Sequence, residues 1–572
     1  MKMIFKYLKP LSRTISYGLT VKVIATLFEL LLPYILSHIL DVVVPTHDIL
    51  LIVKWGGAMI LAALLAMIGN IVANRNAAKV AREASRRIRH DLFAATMHLS
   101  SKQTDAFTVP SLESRLTSDT YNVHHFIGMV QRMAVRVPIL LLGGIAITLV
   151  LDWRLALVMI VTLPFIGGSV FLITRRGLPL YKQTQKAVDN MVRVVREDCQ
   201  GVRVIKALSK EEYESRRYDA VNKHLVACER KAGTTMALSQ PLMTLCLNLG
   251  LVAVILTGAY LVNGGLSMPG RIIAFIQYFT LMSGAMTAMT RIFVMSTKSA
   301  ASANRIAEVL EATEKTRENS DKAPQNDDAF IVFDHVNFSY NGKKNNLSDI
   351  SFRLPRGGTL GVIGATGSGK TTLTALLQGF YDIDSGSIYI DGQDIYSLDK
   401  KSLHAMFGIV MQNDFISADT VAENIRFGRD ICDEDIKRAA TLAQANDFIE
   451  GFAEGYERPL TAKGTNVSGG QRQRILIARA LAGKPKILVL DDASSALDYK
   501  TDANLRRAIR EGMQDTTTVV VAQRVSSVKH ADHILVLDHG RVIGAGKHED
   551  LLLTCPAYKE ISDSQMGGAF LE

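Results

Sequence analysis

The sequence predicts an α-helical polytopic membrane domain followed by an α/β domain built around a phosphate-binding loop, and three observations predict it. Of 572 residues, 48% are hydrophobic and 21% are charged, the balance of a membrane part joined to a soluble part. The first half holds six apolar windows: Tyr17 to Leu40, Ile52 to Ala73, Val135 to Leu151, Leu155 to Ile173, Leu242 to Val262 and Ile272 to Met295. Each is about 17 to 24 residues, enough to cross a hydrocarbon core as a helix. The second half carries GVIGATGSGKTT, Gly361 to Thr372, directly after the apolar segment Thr359 to Ile363.

From the N-terminus, MKMIFKYLKPLSR alternates Lys2, Lys6, Lys9 and Arg13 with Ile4, Phe5 and Leu8. No small-residue cleavage site closes the apolar run that follows, so an interfacial helix leading into the first span is expected. Six crossings put both ends on one side of the membrane. The segments Asn74 to Ala134 and Thr174 to Gln240 are dense in Lys and Arg, whereas Asp41 to Leu51, Asp152 to Arg154 and Asn263 to Arg271 carry few. The positive-inside rule then makes both termini and both long loops cytoplasmic. The net charge of +10 follows largely from these loops. It implies a membrane-flanking surface and no nucleic acid, because no aromatic-and-basic stripe accompanies it.

Each long loop runs about 60 residues with few breakers, so the membrane helices are expected to continue well past the bilayer at about 1.5 Å per residue. Lys22, Glu29, Asn70, Asn248 and Gln277 are polar groups at membrane depth; such residues face a cavity, bond neighbouring helices or snorkel. Glu29, mid-span, is the expected contact for cationic substrates. The polar stretch Glu311 to Asp328 reads as a linker. Cys199, Cys228, Cys246, Cys432 and Cys555 show no paired or metal-like spacing. Four are expected to be cytoplasmic and reduced, and Cys246 lies within a span.

Gly364-x4-Gly369-Lys370-Thr371 has the spacing that leaves several backbone N–H groups unpaired and aimed at one point, where only glycine lets the chain approach a triphosphate closely. Lys370 would reach the β- and γ-phosphates and Thr371 would offer its hydroxyl to Mg²⁺. About 120 residues on, the apolar strand within KILVLDDASSALD delivers Asp491 to its C-terminal tip, where ligands gather in a parallel α/β sheet. Between them NVSGGQRQR, Asn466 to Arg474, sets a serine and two glycines before a helix rich in Arg and Ala, which suits either an anion site or an ordinary N-cap.

Taken together, these residues resemble the nucleotide-binding domain of ATP-binding cassette (ABC) proteins. The match covers the loop at Gly364 to Thr371, Gln412 in IVMQN, the signature VSGGQ at Val467 to Gln471, the strand ending at Asp491 and the SALD turn at Ser495 to Asp498. With the six spans it resembles a half-transporter of exporter type: a transmembrane domain at 1–310, a linker at 311–329 and a P-loop ATPase domain at 330–572. The resemblance implies ATP and Mg²⁺ as cofactors. It places Tyr340, 24 residues before Gly364, on the adenine, and Gly364, Thr366, Gly367, Ser368, Gly369, Lys370, Thr371 and Thr372 on the phosphates. Ser468, Gly469, Gly470 and Gln471 would complete a partner's site. Thr371, Gln412 and Asp491 would hold the metal, and Gln412, Asp492 and Gln523 would act at hydrolysis. RLTSD, Arg115 to Asp119, and GVRVIKAL, Gly201 to Leu208, stand where the family places its coupling loops.

The chain departs from that family at three places. Asp492 follows the magnesium-binding aspartate where most members have glutamate. Its side chain is one methylene, about 1.5 Å, shorter, and displacing a catalytic group by about 1 Å can cost a hundredfold. Gln523, in VVVAQRVSSV, stands where the family carries a histidine toward the γ-phosphate; it still donates a hydrogen bond but cannot take up the imidazole's charge. Thr461-Ala462-Lys463-Gly464 replaces a Gly-Glu-Arg-Gly run, leaving out an acidic contact toward the coupling loops.

Cassette domains work as head-to-tail pairs, so a nearly intact signature serves a partner's loop while Asp492 and Gln523 weaken only this chain's own site. The expected function is therefore one subunit of an ATP-driven exporter of hydrophobic or amphipathic compounds, a heterodimer with a second half-transporter, in the cytoplasmic membrane of a bacterium. A catalytically silent regulatory subunit and an importer of metal chelates on the same fold are the alternatives. With no peptidase-like domain before the spans, processing of a peptide cargo is not expected.

Overall fold

The computed structural model describes residues 2–312, 329–412 and 414–566. The chain divides into two compact units, Met1–His98 with Phe107–Thr313, and Leu99–Ala106 with Glu314–Glu572.

The first unit is helical throughout. A short helix α1 (Lys2–Leu8) precedes α2 (Ser12–His38) and α3 (Ile49–Met97); then come α4 (Thr120–Met133), α5 (Arg136–Leu151), α6 (Trp153–Ala207), α7 (Glu211–Ala237), α8 (Ser239–Asn263) and α9 (Pro269–Leu310). Asp48 starts α3 by accepting from the amides of Leu50 and Leu51 at 2.9 and 3.3 Å, which satisfies two of the donors a helix start leaves unpaired. Among the described residues, five helical stretches are long and apolar enough to cross a membrane; the fourth predicted window lies in α6, whose apolar part there is the shorter run Trp153–Ser169. At 49 residues for α3 and 55 for α6, these helices far exceed the roughly 20 residues a bilayer needs. The basic loops are therefore largely helix, as expected. The predicted linker, apart from its end positions, falls outside the described residues.

Polar groups in the bundle find partners on other helices. Lys22 Nζ donates to Asn70 Oδ1 at 2.6 Å and Tyr278 Oη to the Leu30 carbonyl at 2.6 Å. The expectation for Glu29 is overturned: its Oε1 lies 2.6 Å from Arg136 Nη2 and its Oε2 accepts from Arg136 Nε at 3.3 Å. A carboxylate already matched by a guanidinium fork is not a spare countercharge for a cation. Asn248 and Gln277 are exposed.

The second unit has two sheets. The antiparallel one has the order β2-β1-β4-β5, from β1 (Ala329–Phe338), β2 (Leu347–Pro355), β4 (Ser385–Ile390) and β5 (Gln393–Asp394). The other has the order β10-β9-β3-β8-β7-β6, from β3 (Thr359–Gly364), β6 (Phe407–Val410), β7 (Ile487–Asp491), β8 (Thr517–Val521), β9 (His533–Asp538) and β10 (Arg541–Gly546). All its neighbours pair parallel except β9 with β10. Both faces of a parallel sheet are covered, so its strands run apolar without alternation; all five residues of β7, ILVLD, are buried. One core joins the two sheets, with Phe333 stacked on Phe352 at 4.6 Å, and another packs Ile475, Leu476 and Ile477 of α11 (Gly469–Ala482) near Leu488. The remaining helices used below are α10 (Lys370–Leu377), α12 (Tyr499–Gly512), α13 (Val525–Val528) and α14 (Pro556–Met566). Within this unit Asp105, of the segment Leu99–Ala106, accepts from Tyr381 Oη at 2.6 Å.

Candidate functional site

Three central parallel strands, β3, β7 and β8, end side by side, and the polar residues expected to act stand just past their C-terminal tips. After β3 the chain turns through Gly367 and Gly369, whose φ values of 83° and 103° lie where a side chain is strained. Space is short as well: a Cβ on Gly369 would stand 2.6 Å from Leu347 Cδ2. The first bond that closes on α10 runs from Leu373 N to Gly369 O at 2.9 Å, so the amides of Lys370, Thr371 and Thr372 precede the helical ladder and form an anion cradle. Ser368 Oγ is buried without a hydrogen-bond partner among the described residues. Lys370 Nζ lies over the same turn, donating to the carbonyls of Gly364 and Ala365 at 2.8 and 2.9 Å. Burial pulls its ammonium below the usual lysine range, against the pull of Asp491 and Asp492.

Asp491 ends β7 and is 5% exposed. Burial pushes its carboxyl up; the Thr371 hydroxyl, which hydrogen-bonds to it, and Lys370 oppose this, while Asp492 adds to it. Asp492 holds a left-handed φ of 53°, fixed by its amide donating to Val521 O at 2.9 Å and by Ser495 Oγ donating to its carbonyl at 2.9 Å. Burial raises its carboxyl too, against Lys370 and Arg524. Gln523, two residues past β8, places Nε2 3.5 Å from Asp492 Oδ2. The two departures from the family pattern thus face one another.

These groups line a cavity of about 260 Å³ that brings together Thr366, Gly367, Gly369, Lys370, Thr371, Thr372, Gln412, Asp491, Asp492 and Gln523. Gly364 and Ser368 belong to the turn that frames it. Tyr340 stands beside it, 41% exposed, with its hydroxyl donating to Thr372 Oγ1 at 3.3 Å; edge contacts with Phe338 and Tyr381 at 4.8 and 5.1 Å hold its ring. Ser468, Gly469, Gly470 and Gln471 do not line the cavity. They start α11 with a capping box: Ser468 Oγ accepts from Gln471 N at 3.2 Å, and Gln471 Oε1 from Ser468 N at 3.0 Å. That arrangement satisfies two helix-start donors reciprocally.

The donor set suits magnesium. Thr371 offers a hydroxyl, Gln412 an amide and Asp491 a carboxylate, all hard oxygens on one cavity, and the buried charge of Asp491 is one that a cation would relieve. Beside them the free amides at the start of α10 and the Lys370 ammonium have the chemistry to receive a phosphate chain.

Two contributors escape a sequence reading. Asn346 lines the cavity and its Oδ1 accepts from Tyr340 N at 3.1 Å; the only hint is the Asn pair in KKNNLS. Gln565, on α14, donates to Gln523 O at 2.9 Å and accepts from Val525 N at 2.8 Å. Nothing in the sequence around Gln565 signals that bridge.

Comparison with known proteins gives the family and the fold. Residues 15–286 match the ABC transporter transmembrane region and residues 347–495 the ABC transporter family. An uncharacterized ABC transporter ATP-binding protein of Bacillus subtilis, YfiB, is 32% identical over 99% of this chain and 99% of its own. A putative ABC transporter ATP-binding protein of Streptococcus pneumoniae, exp8, is 29% identical over 99% of this chain and 97% of its own. Among solved structures, a bacterial Atm1-family ABC exporter with ATP bound has the same fold, with a TM-score of 0.80 at 24% identity over 96% of this chain and 98% of that one.

Proposed function

This chain belongs to the ABC transporters, and from that premise we propose that it is one half of a heterodimeric exporter of hydrophobic or amphipathic compounds, with a slow ATP site on its own phosphate loop. The observation that carries this reading is the pairing of Asp492 with Gln523 at 3.5 Å on the cavity that holds Lys370 and Asp491.

Thr371, Gln412 and Asp491 would hold Mg²⁺, which when bound neutralises charge on the β- and γ-phosphates. Lys370 exchanges its two loop carbonyls for phosphate oxygens, and the α10 amides receive the remaining charge. Tyr340 offers its ring to the adenine. Asp492 would be the carboxylate that polarises the attacking water, yet it is a methylene short, and its backbone is pinned by Val521 and Ser495 and so does not advance to make up the difference. Gln523 donates to phosphate but holds no proton for the reaction. Binding survives, turnover slows.

The signature at Ser468 to Gln471 lies off this cavity, which supports a role at a partner's loop. We read residues 1–310 as the membrane domain and 330–572 as the ATPase, with both termini cytoplasmic in a bacterial cytoplasmic membrane, on the basic loops between α3 and α4 and along α6 and α7. The exporter-type fold supports outward transport. Single-turnover hydrolysis in the paired complex tests the reading: slow but measurable turnover at this chain's loop is the expected result, and none at all would make the chain a silent regulatory subunit.

A further inference from the structure

We propose that a second cavity in the ATPase unit, behind the segment that carries Gln523, is a regulatory site for a small amphipathic anion, a carboxylate or phosphate monoester on an aromatic body. Binding at this cavity goes beyond the transport reading and is independent of it, whereas its regulatory effect rests on the assignment of Asp492 and Gln523 to hydrolysis.

The cavity, about 320 Å³, opens between α12, the turn into β8 and the end of α13. That volume falls in the range of small-molecule sites. Its lining has two halves. Leu490, Ile509, Met513, Val520 and Ala531 give an apolar floor; Arg506, Arg510 and His530 stand at its rim. Arg506 is matched by Asp502 at 2.8 Å, but Arg510 is exposed and makes no ion pair among the described residues. Burial keeps the His530 imidazole below its usual range, and the charges acting on it, from Lys529, Arg510, Arg506 and His548, are all positive. A pocket with an apolar floor, no carboxylate among its described lining residues and the unpaired Arg510 guanidinium at its rim favours an anion with an apolar body over a cation or a neutral compound.

Occupancy would be felt at the hydrolytic residues. Arg506 Nη1 donates to the Ser526 carbonyl, and Ser527, which lines the cavity, stands 3.4 Å by its Oγ from Ser494 Oγ in the turn after Asp492. Ser526 and Ser527 belong to α13, whose first residue is two past Gln523. An anion that draws Arg506 outward loosens that carbonyl contact and with it the support of Gln523.

The test is calorimetric titration of the full chain with 1-naphthyl phosphate, both in Lys370→Ala and in the unaltered chain saturated with ATP, so that the phosphate loop cannot take the probe. The expected result is binding in both settings at least tenfold tighter than 1-naphthalenemethanol or inorganic phosphate alone, weakened about tenfold by Arg510→Gln and abolished by Met513→Trp, which fills the floor. Raised titration of the His530 ring on binding, read by NMR, and a change of at least twofold in ATPase rate that Arg510→Gln removes, would support it further. Loss of binding whenever the phosphate loop is blocked, equal binding of the alcohol or of inorganic phosphate, or indifference to Arg510→Gln would overturn it.

Discussion

At Asp492 the backbone is already in the left-handed region at φ 53°, and its carboxyl faces a glutamine where a histidine would complete the usual pair. Lengthening the acid and restoring the imidazole should therefore act together. Asp492→Glu with Gln523→His is expected to raise hydrolysis at this site by about a hundredfold, the scale that a misplacement of roughly 1 Å costs, with each single change giving less than half of that gain in log units. Single-site turnover of each variant checks it. Asp491 supplies a second prediction. Burial raises its folded-state carboxyl, so the folded chain binds more protons than the unfolded chain, and stability is lost as pH rises from the unfolded value through the folded one. Asp491→Asn removes that buried charge: without magnesium at neutral pH it should raise Tm by about 2–4 °C, while abolishing the stabilisation that Mg-ATP confers on the parent. Thermal scans with and without Mg-ATP read both effects.

Elements decide how those residues are held. α11 joins the signature to the body of the domain through Arg479, 8% exposed. Its guanidinium donates to Asn424 O at 2.7 Å and Phe415 O at 2.9 Å and lies 4.6 Å from the Phe427 ring centroid. Burial lowers its affinity for the proton, yet it stays charged. Arg479→Ala would leave two carbonyls unpaired and is expected to destabilise the full chain by about 3 kcal/mol, measured as a fall in Tm. α14 works more gently. Gln565→Ala frees the backbone of Gln523 and Val525 and should lower kcat severalfold with KM nearly unchanged, while Tm moves by less than that of Arg479→Ala; an unchanged kcat would mean the bridge is only structural. Legibility follows the same division. The phosphate loop and the start of α11 were readable because every partner lies within a few residues: glycine spacing, a strand before, a helix after. Glu29 misled because its partner, Arg136, is 107 positions away and reaches it only once α2 and α5 pack. Gln565 was invisible for the same reason, its partners standing 40 and 42 positions away, whereas Asn346 bonds Tyr340 only six positions off and escapes because an Asn pair in a loop names no partner.

For the whole molecule the asymmetry should appear between sites, because each site of a head-to-tail pair draws its loop from one chain and its signature from the other. The signature of this chain is ordered by its capping box independently of the cavity at Lys370. Ser468→Arg is therefore expected to abolish most ATP turnover of the paired complex, whereas Lys370→Ala should leave more than half of it, a contrast that steady-state ATPase of the two complexes would reveal. The most direct measurement is ATPase activity of this chain expressed alone and beside a second half-transporter, with and without Asp492→Glu plus Gln523→His. Activity only in the pair, raised by the double change, is the predicted result. Full activity of the chain alone, indifferent to the double change, would make it a homodimer and contradict the slowing assigned to Asp492 and Gln523 at this chain's own site.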